Sequence, residues 1–191
     1  MKCMICENFS LLHICRPCQA THLTSSLFKR KISNNIEVIS FYEYEDIKDF
    51  LLTKHTDLGY YIYSIMAQNS FALFAKEFAF SHAITSIAVD DKPSSGYSHT
   101  ALLNRHLQSK FITPAYAKLR AKNDVKYAGK SRDFRLANPR GFTLAPIKTK
   151  EVILVDDIIT TGTTLSEAIF TCQKAGIEVL FCLTLATAKI Q

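Results

Sequence analysis

Structure-breaking residues are scarce in this chain. Its 191 residues include six glycines and five prolines, and neither type gathers into a tract. No segment repeats, so low-complexity and solenoid architectures are excluded. A long unbroken apolar run is also missing. The most apolar region, Leu58 to Phe80, is interrupted by Gln68, Asn69, Lys76 and Glu77. It reads as a core-facing helix, not a membrane span. No stretch near the start joins a charged beginning, an apolar run and a cleavage site, so a secretory leader is not expected. In a chain without export features, six cysteines argue for metal binding over a disulfide framework. The length suits one medium domain with a small appendage, and hydrophobic residues make up 48% of the chain, enough for a substantial core.

Acidic residues are scarce in one place. Between Lys118 and Arg140 stand eight basic residues, Lys118, Arg120, Lys122, Lys126, Lys130, Arg132, Arg135 and Arg140, against only Asp124 and Asp133. That surplus accounts for the whole formal net charge of +6. A positive segment on an otherwise neutral chain points to an anionic partner. Lys29-Arg30-Lys31 forms a second, shorter basic run.

The cysteines are spaced for a metal. Cys3-x-x-Cys6 and Cys15-x-x-Cys18 are two knuckles eight residues apart. Four thiolates at this spacing can surround one Zn²⁺ tetrahedrally and leave no position for water, which makes a structural site. The metal replaces the hydrophobic core that so short a segment lacks. The alternative is a pair of redox dithiols, but neither pair sits between a strand and a helix. His13 and His22 are near enough in sequence to compete as ligands and are expected to be bystanders. Cys172 and Cys182 read as small buried hydrophobes.

The densest chemistry lies in Val152-Ile153-Leu154-Val155-Asp156-Asp157-Ile158-Ile159-Thr160-Thr161-Gly162-Thr163-Thr164. The apolar run reads as a strand buried on both faces, as in a parallel sheet. The two acids then fall at its carboxyl end, where open α/β sheets place ligands. Thr160 to Thr164 opens the next helix, so its backbone N–H groups and hydroxyls can surround a phosphate. Like charge keeps Asp156 and Asp157 from binding that phosphate. They suit vicinal hydroxyls instead, such as those of a ribose. Around this segment we expect strands at Val38 to Tyr42, Ile84 to Val89 and Ile177 to Ala186. Helices are expected near Ile47 to Lys54, over Tyr61 to Phe80, from Ser98 to about Gln108, and over Thr163 to Ala175 with Gly176 as its stop. The strand–helix–strand unit at the end requires a right-handed crossover and a parallel sheet. Thr113 to Phe142 shows weak periodicity and reads as a long mobile loop or hairpin.

The segment from Val152 to Thr164 resembles the PRPP-binding signature of type I phosphoribosyltransferases. The resemblance implies that Asp156 and Asp157 hold the ribose hydroxyls and serve catalysis. It implies that Thr160, Thr161, Gly162, Thr163 and Thr164 hold the 5-phosphate, with Mg²⁺ accompanying the ligand. Joined to Cys3, Cys6, Cys15 and Cys18, it resembles the ComF family of competence proteins over almost the whole chain. A later family pattern is matched by Arg135, Asn138, Gly141 and Phe142. A middle motif is matched only by Asp90-Asp91-Lys92-Pro93 and Ser95-Gly96-Tyr97-Ser98-His99, without the family's arginine and amides.

The resemblance implies an α/β fold in three parts: a zinc module over 1–24, a basic linker over 25–35, and a phosphoribosyltransferase-like domain over 36–191 with a mainly parallel sheet flanked by helices. The implied role is handling incoming single-stranded DNA in natural transformation, with a retained PRPP socket. The DNA contacts would be Lys29, Arg30, Lys31 and the eight basic residues from Lys118 to Arg140, with Phe111, Tyr116, Tyr127 and Phe134 available for stacking. DNA-import and recombination proteins would be partners, and the location cytoplasmic, peripheral at the inner face of the membrane. An active phosphoribosyltransferase of nucleotide metabolism and a PRPP-sensing module are the alternatives.

Overall fold

The computed structural model describes residues 1–32, 35–90, 93, 96–123 and 132–188. A seven-stranded sheet in the order β1-β2-β7-β6-β3-β4-β5 forms its centre. The strands are β1 (Phe28–Lys31), β2 (Glu37–Glu43), β3 (Ile84–Asp90), β4 (Ile112–Ala121), β5 (Phe142–Leu144), β6 (Glu151–Ile159) and β7 (Glu178–Thr187). All pairings from β2 across to β4 are parallel, and the edge strands β1 and β5 pair antiparallel. This is the expected α/β class with a mainly parallel sheet.

After α1 (Arg16–His22) in the N-terminal segment, one face of the sheet is covered by α2 (Tyr44–Leu51), a 3-10 turn (Leu52–His55), α3 (Asp57–Gln68), α4 (Phe71–Glu77) and α5 (His99–Arg105). The other face carries α7 (Thr163–Lys174), with α6 (Arg132–Ala137) beside it. Strand alternation divides the core accordingly. In β6, Ile153 and Val155 pack toward α3 and α5, while Val152 and Leu154 pack under α7. α7 meets them with Leu165, Ala168, Ile169 and Cys172, one stripe at helical spacing. Full burial of side chains such as Leu165 stabilises the layer by about 1.5–3 kcal/mol each. Cys172 and Cys182 are buried in this same layer, and burial pushes the Cys172 thiol up to about 11.

Three segments depart from the sequence expectation, and a fourth takes one of its two expected forms. The helix expected over Tyr61 to Phe80 is two helices. The Asn69 N–H still reaches Ile65 O (3.1 Å), but the Ser70 N–H turns to Ala67 O (3.4 Å), while Asn69 Nδ2 donates to Ile65 O (2.8 Å) and Ser70 Oγ to Met66 O (2.7 Å), so α3 ends with side chains sharing the last carbonyls. The stretch 25–35, expected as a basic linker, carries β1, whose register sets Arg30 opposite Val38. The pleat splits the basic run: Phe28 and Arg30 are half-buried, and Lys29 and Lys31 are exposed. The segment Thr113 to Phe142 contributes β4, α6 and β5, of which β4 and β5 pair as the hairpin form of that expectation. Lys126, Tyr127 and Lys130 lie outside the described residues. Finally, β6 runs past the apolar residues, because its pairing with β7 continues through Asp156↔Thr184 to Ile159↔Thr187. The acids are thus inside the strand's last residues.

The first 24 residues are packed into the main core. Cys3, Ile14, Cys18 and Leu23 belong to the same buried cluster as α3 and β2. Gln19 Nε2 donates to Ile14 O (2.7 Å), Asn69 Nδ2 to Gln19 Oε1 (3.1 Å), and Tyr42 Oη to Leu23 O (3.0 Å). No helix among the described residues is long and apolar enough to cross a membrane.

Candidate functional site

Chain order places the site. From β3 the chain passes through α5 to β4 on one side, and from β6 it passes through α7 to β7 on the other. β3 and β6 are neighbours, so the connections leaving their carboxyl ends diverge. That divergence is a topological switch point, the place where open α/β sheets hold ligands. The expected Asp156–Thr164 segment lies there.

Both acids are buried, Asp156 at 7% and Asp157 at 8% exposure, so their carboxylates require partners. Alternation turns Asp157 toward α3 and α5, and Asp156 toward α7. Asp157 Oδ1 accepts the Ile158 N–H (2.8 Å). Its Oδ2 accepts Lys54 Nζ (3.1 Å) and lies 3.3 Å from His99 Nε2. Burial pushes the Asp157 carboxyl up, but the Lys54 charge and then His99 outweigh it and hold the group well below the usual carboxylate range. Asp156 Oδ1 accepts the Asp157 N–H (2.8 Å).

Lys54 and His99 are the residues the sequence reading missed in this role. Lys54 sits on the 3-10 turn and His99 opens α5, and neither belongs to a local motif with Asp157. Their placement is nevertheless built. Tyr97 Oη donates to Lys54 O (2.7 Å), and Ser98 caps α5 by accepting the Ala101 N–H (3.2 Å). A side chain at Gly59 would put its Cβ 2.1 Å from Thr53 O and 2.5 Å from Tyr97 Oη. Glycine there lets α3 approach the turn that carries Lys54. The Tyr63 ring stands 5.8 Å from that of His99, and its hydroxyl is pushed up first by burial and next by the Asp157 charge.

The loop after β6 is equally fixed. Gly162 takes φ +78°, a conformation side chains disfavour, and a Cβ there would lie 2.9 Å from Ile32 Cγ2. Thr161 Oγ1 and Thr163 Oγ1 are 2.9 Å apart, and Ser166 N donates to Gly162 O (2.8 Å) as α7 begins. Thr160 O accepts from Arg30 Nη2 of β1. Glu167 of α7 accepts the Arg140 N–H (3.0 Å) and the Gly141 N–H (2.6 Å), which ties this helix to the β4–β5 hairpin. The result is a helix N-terminus with threonine hydroxyls beside two buried carboxylates, a donor-and-acceptor set suited to a phosphorylated sugar diol.

The cysteine expectation also closes geometrically. The Sγ atoms of Cys3, Cys6, Cys15 and Cys18 all lie within 4.8 Å of one another, with Cys6 and Cys15 at 3.7 Å. A tetrahedron with Zn–S bonds of about 2.3 Å has edges of roughly 3.8 Å, so the four cysteines fit structural zinc. Cys3 Sγ accepts N–H groups from Cys15 (3.3 Å) and Ile5 (3.5 Å). Backbone donors, Cys15 first, pull its thiol down to about 6, and the hydrogen bond with Cys15 pushes Cys18 up to about 12. Among the described residues no other group of three or more histidine, cysteine or acidic side chains has ligating geometry. His13 stacks on Tyr61 at 4.5 Å. The set at Asp157 does not fit a directly bound Mg²⁺, because Oδ2 already faces Lys54 and His99.

The expected DNA contacts are dispersed. Arg120, Lys122, Lys29 and Lys31 are exposed, Lys29 next to Glu37 (3.2 Å). Lys118 Nζ donates to Pro146 O (2.9 Å). Arg132 and Arg135 lie on α6, and Arg140 precedes β5. Tyr116 is half exposed, and Phe111 is half-buried with Lys110 Nζ 5.2 Å from its ring centre.

A family model described as PRTase-CE matches residues 24–190. No curated protein shows a match to this chain. Among solved structures, the chain is similar to the orotate phosphoribosyltransferase from Aeropyrum pernix, at 15% identity over 88% of this chain and 78% of that one, with a TM-score of 0.40. It is also similar to the orotate phosphoribosyltransferase of Mycobacterium tuberculosis H37Rv in complex with Fe(III) dicitrate, at 14% identity over 86% and 78%, with a TM-score of 0.38.

Proposed function

We propose that this chain, which belongs to the PRTase-CE family, binds PRPP or a related ribose 5-phosphate at the β6–α7 junction. One observation carries the reading: two buried carboxylates near the end of β6 stand just two residues, Ile158 and Ile159, before a helix-opening loop of threonines at the sheet's switch point. The loop Thr160 to Thr164 takes the 5-phosphate through backbone N–H groups and hydroxyls. Asp156 and Asp157 accept from the ribose hydroxyls. A carboxylate offers about four acceptor sites, and three on Asp157 are used by Ile158, Lys54 and His99. One remains for a ribose hydroxyl, and the two side-chain donors keep the group ionised. Asp157, already facing Lys54 and His99, would not hold a Mg²⁺ that accompanied the ligand. The test is calorimetric titration with PRPP. Micromolar binding that Asp156→Asn weakens at least tenfold supports the reading, and heat-silent titrations of the intact protein remove it.

Its cellular role, on this reading, is the handling of single-stranded DNA during natural transformation. Exposed Arg120 and the exposed Tyr116 ring on β4, with exposed Lys122 just after the strand, supply charge and a stacking face. Binding to an oligothymidylate should weaken steeply with salt, because phosphate neutralisation releases counterions. The competing reading is transfer chemistry. Two carboxylates beneath the ribose would stabilise the positive charge that develops at the anomeric carbon as pyrophosphate leaves. Pyrophosphate release from PRPP with one particular base, lost in Asp157→Ala, would favour it. Silence across the common bases, with PRPP binding intact, favours the DNA role.

A further inference from the structure

We infer that Arg30 is a positioning residue for the phosphate loop rather than a DNA contact. The inference rests on the proposed binding of a phosphate by Thr160 to Thr164. Arg30 sits on edge strand β1, on the inward side of the pleat, while its basic neighbours Lys29 and Lys31 face out. Its Nη2 donates to the carbonyl of Thr160, the first residue of the loop. Its Nε is buried and has no hydrogen-bond partner, and no ion pair includes it among the described residues. The next hydrophobic residue of the hairpin, Ile32, closes against Gly162. Two consecutive inward residues of the β1 segment therefore seat on the two ends of one three-residue turn.

The physical consequence lies in the peptide joining Thr160 to Thr161. A trans peptide is planar, and its C=O and N–H point in opposite directions. Fixing the Thr160 carbonyl on the Arg30 side turns the Thr161 N–H to the opposite side of the peptide, in a loop where the Thr161 and Thr163 hydroxyls face each other at 2.9 Å. A cation on the carbonyl also polarises the peptide and strengthens the N–H as a donor. Without Arg30 the Thr160 carbonyl loses its cationic partner, and a flipped carbonyl would present negative charge to the phosphate. Arg30 acts through the loop backbone, at a remove from the phosphate itself.

Two readouts test this. In the ligand-free protein, hydrogen exchange at the amides of Thr161 to Thr164 should be faster in Arg30→Met than in wild type. Unchanged exchange in that variant overturns the inference whether or not PRPP binds. In titrations, Arg30→Met should bind PRPP roughly ten- to hundredfold more weakly, the range for losing a charged hydrogen bond. Lys29→Met, one residue away and outward, should bind as wild type. Arg30→Lys keeps the charge and a donor, and it should fold and recover most of the affinity. A lysine variant that folds yet binds no better than the methionine variant overturns the clamp, as does wild-type affinity in Arg30→Met. If the wild type binds no PRPP while Arg30→Met still loosens the loop, the phosphate reading fails and the clamp stands.

Discussion

The cysteine module and the β6–α7 socket are held by opposite means. The four cysteines lie within sixteen consecutive positions, and the geometry that fits a zinc ion is nearly complete in that short segment. The socket has an equally clear local motif, but the side-chain donors that fix its shape arrive from far away. Lys54 is 103 residues from Asp157, and Arg30 is 130 residues from Thr160. The cysteine cluster is assembled by near neighbours in sequence, although its segment also packs into the main core. A site built on a sheet's switch point needs the whole sheet, because distant strands bring its supporting groups together. The difference teaches that a local motif identifies a site's chemistry, while its supporting contacts determine whether that chemistry is held in place.

This contrast can be broken most forcefully at the metal. Cys15→Ser with Cys18→Ser, or extended chelation, should detach Ile14, Cys18 and Leu23 from the shared core. For a domain of this size each kcal/mol moves the melting midpoint by about 2–4 °C, so a fall of about 10 °C or more is expected in scanning calorimetry. A midpoint that holds under chelation would show that the module is held by packing alone.

Next in size is the buried charge. Lys54→Met leaves Asp157 with His99 as its remaining side-chain partner and should cost about 2 kcal/mol, read by urea denaturation. The sign with pH follows from Asp157 being held below its ordinary pKa. Its contribution to stability is present above the ordinary carboxylate value, about 3.9, and is lost as pH falls below it. The wild type should therefore lose stability in acid more steeply than Lys54→Met, and parallel curves would contradict the pairing.

Smaller still, Gly162→Ala should cost about 1–2 kcal/mol through strain at positive φ and the contact with Ile32. It should also weaken PRPP binding, a joint effect that sharpens the link between loop conformation and ligand. The smallest stability effect belongs to the surface. Arg120→Gln and Lys122→Gln should change stability by less than about 0.5 kcal/mol. Each should lower the salt slope of oligothymidylate binding by about one unit. Unchanged slopes would take β4 out of the DNA surface.

Much of the fold was legible because it obeys local rules. The buried run Val152–Val155, the 3.6-residue stripe of α7, the Ser98 cap and the stop at Gly176 each depend on neighbours in sequence. The break at Asn69-Ser70 was hidden because the apolar pattern continues across it, while backbone and side-chain bonds of Asn69 and Ser70 to the preceding turn close α3. β1 was hidden by its composition. Lys29-Arg30-Lys31 reads as a solvated linker until pairing with β2 turns alternate residues inward.

The sequence by itself determined the chemistry on offer: four thiolates at knuckle spacing, two acids after an apolar strand, and a threonine loop opening a helix. Those depend on residue type and short spacing, which covalent geometry enforces. Only the tertiary structure decided which groups surround Asp157, that Arg30 faces the Thr160 carbonyl rather than solvent, and that the cysteine segment shares the main core. Such pairings depend on strand order and on which side of a pleat a residue falls. They are settled when the whole sheet forms and its buried charges find their partners.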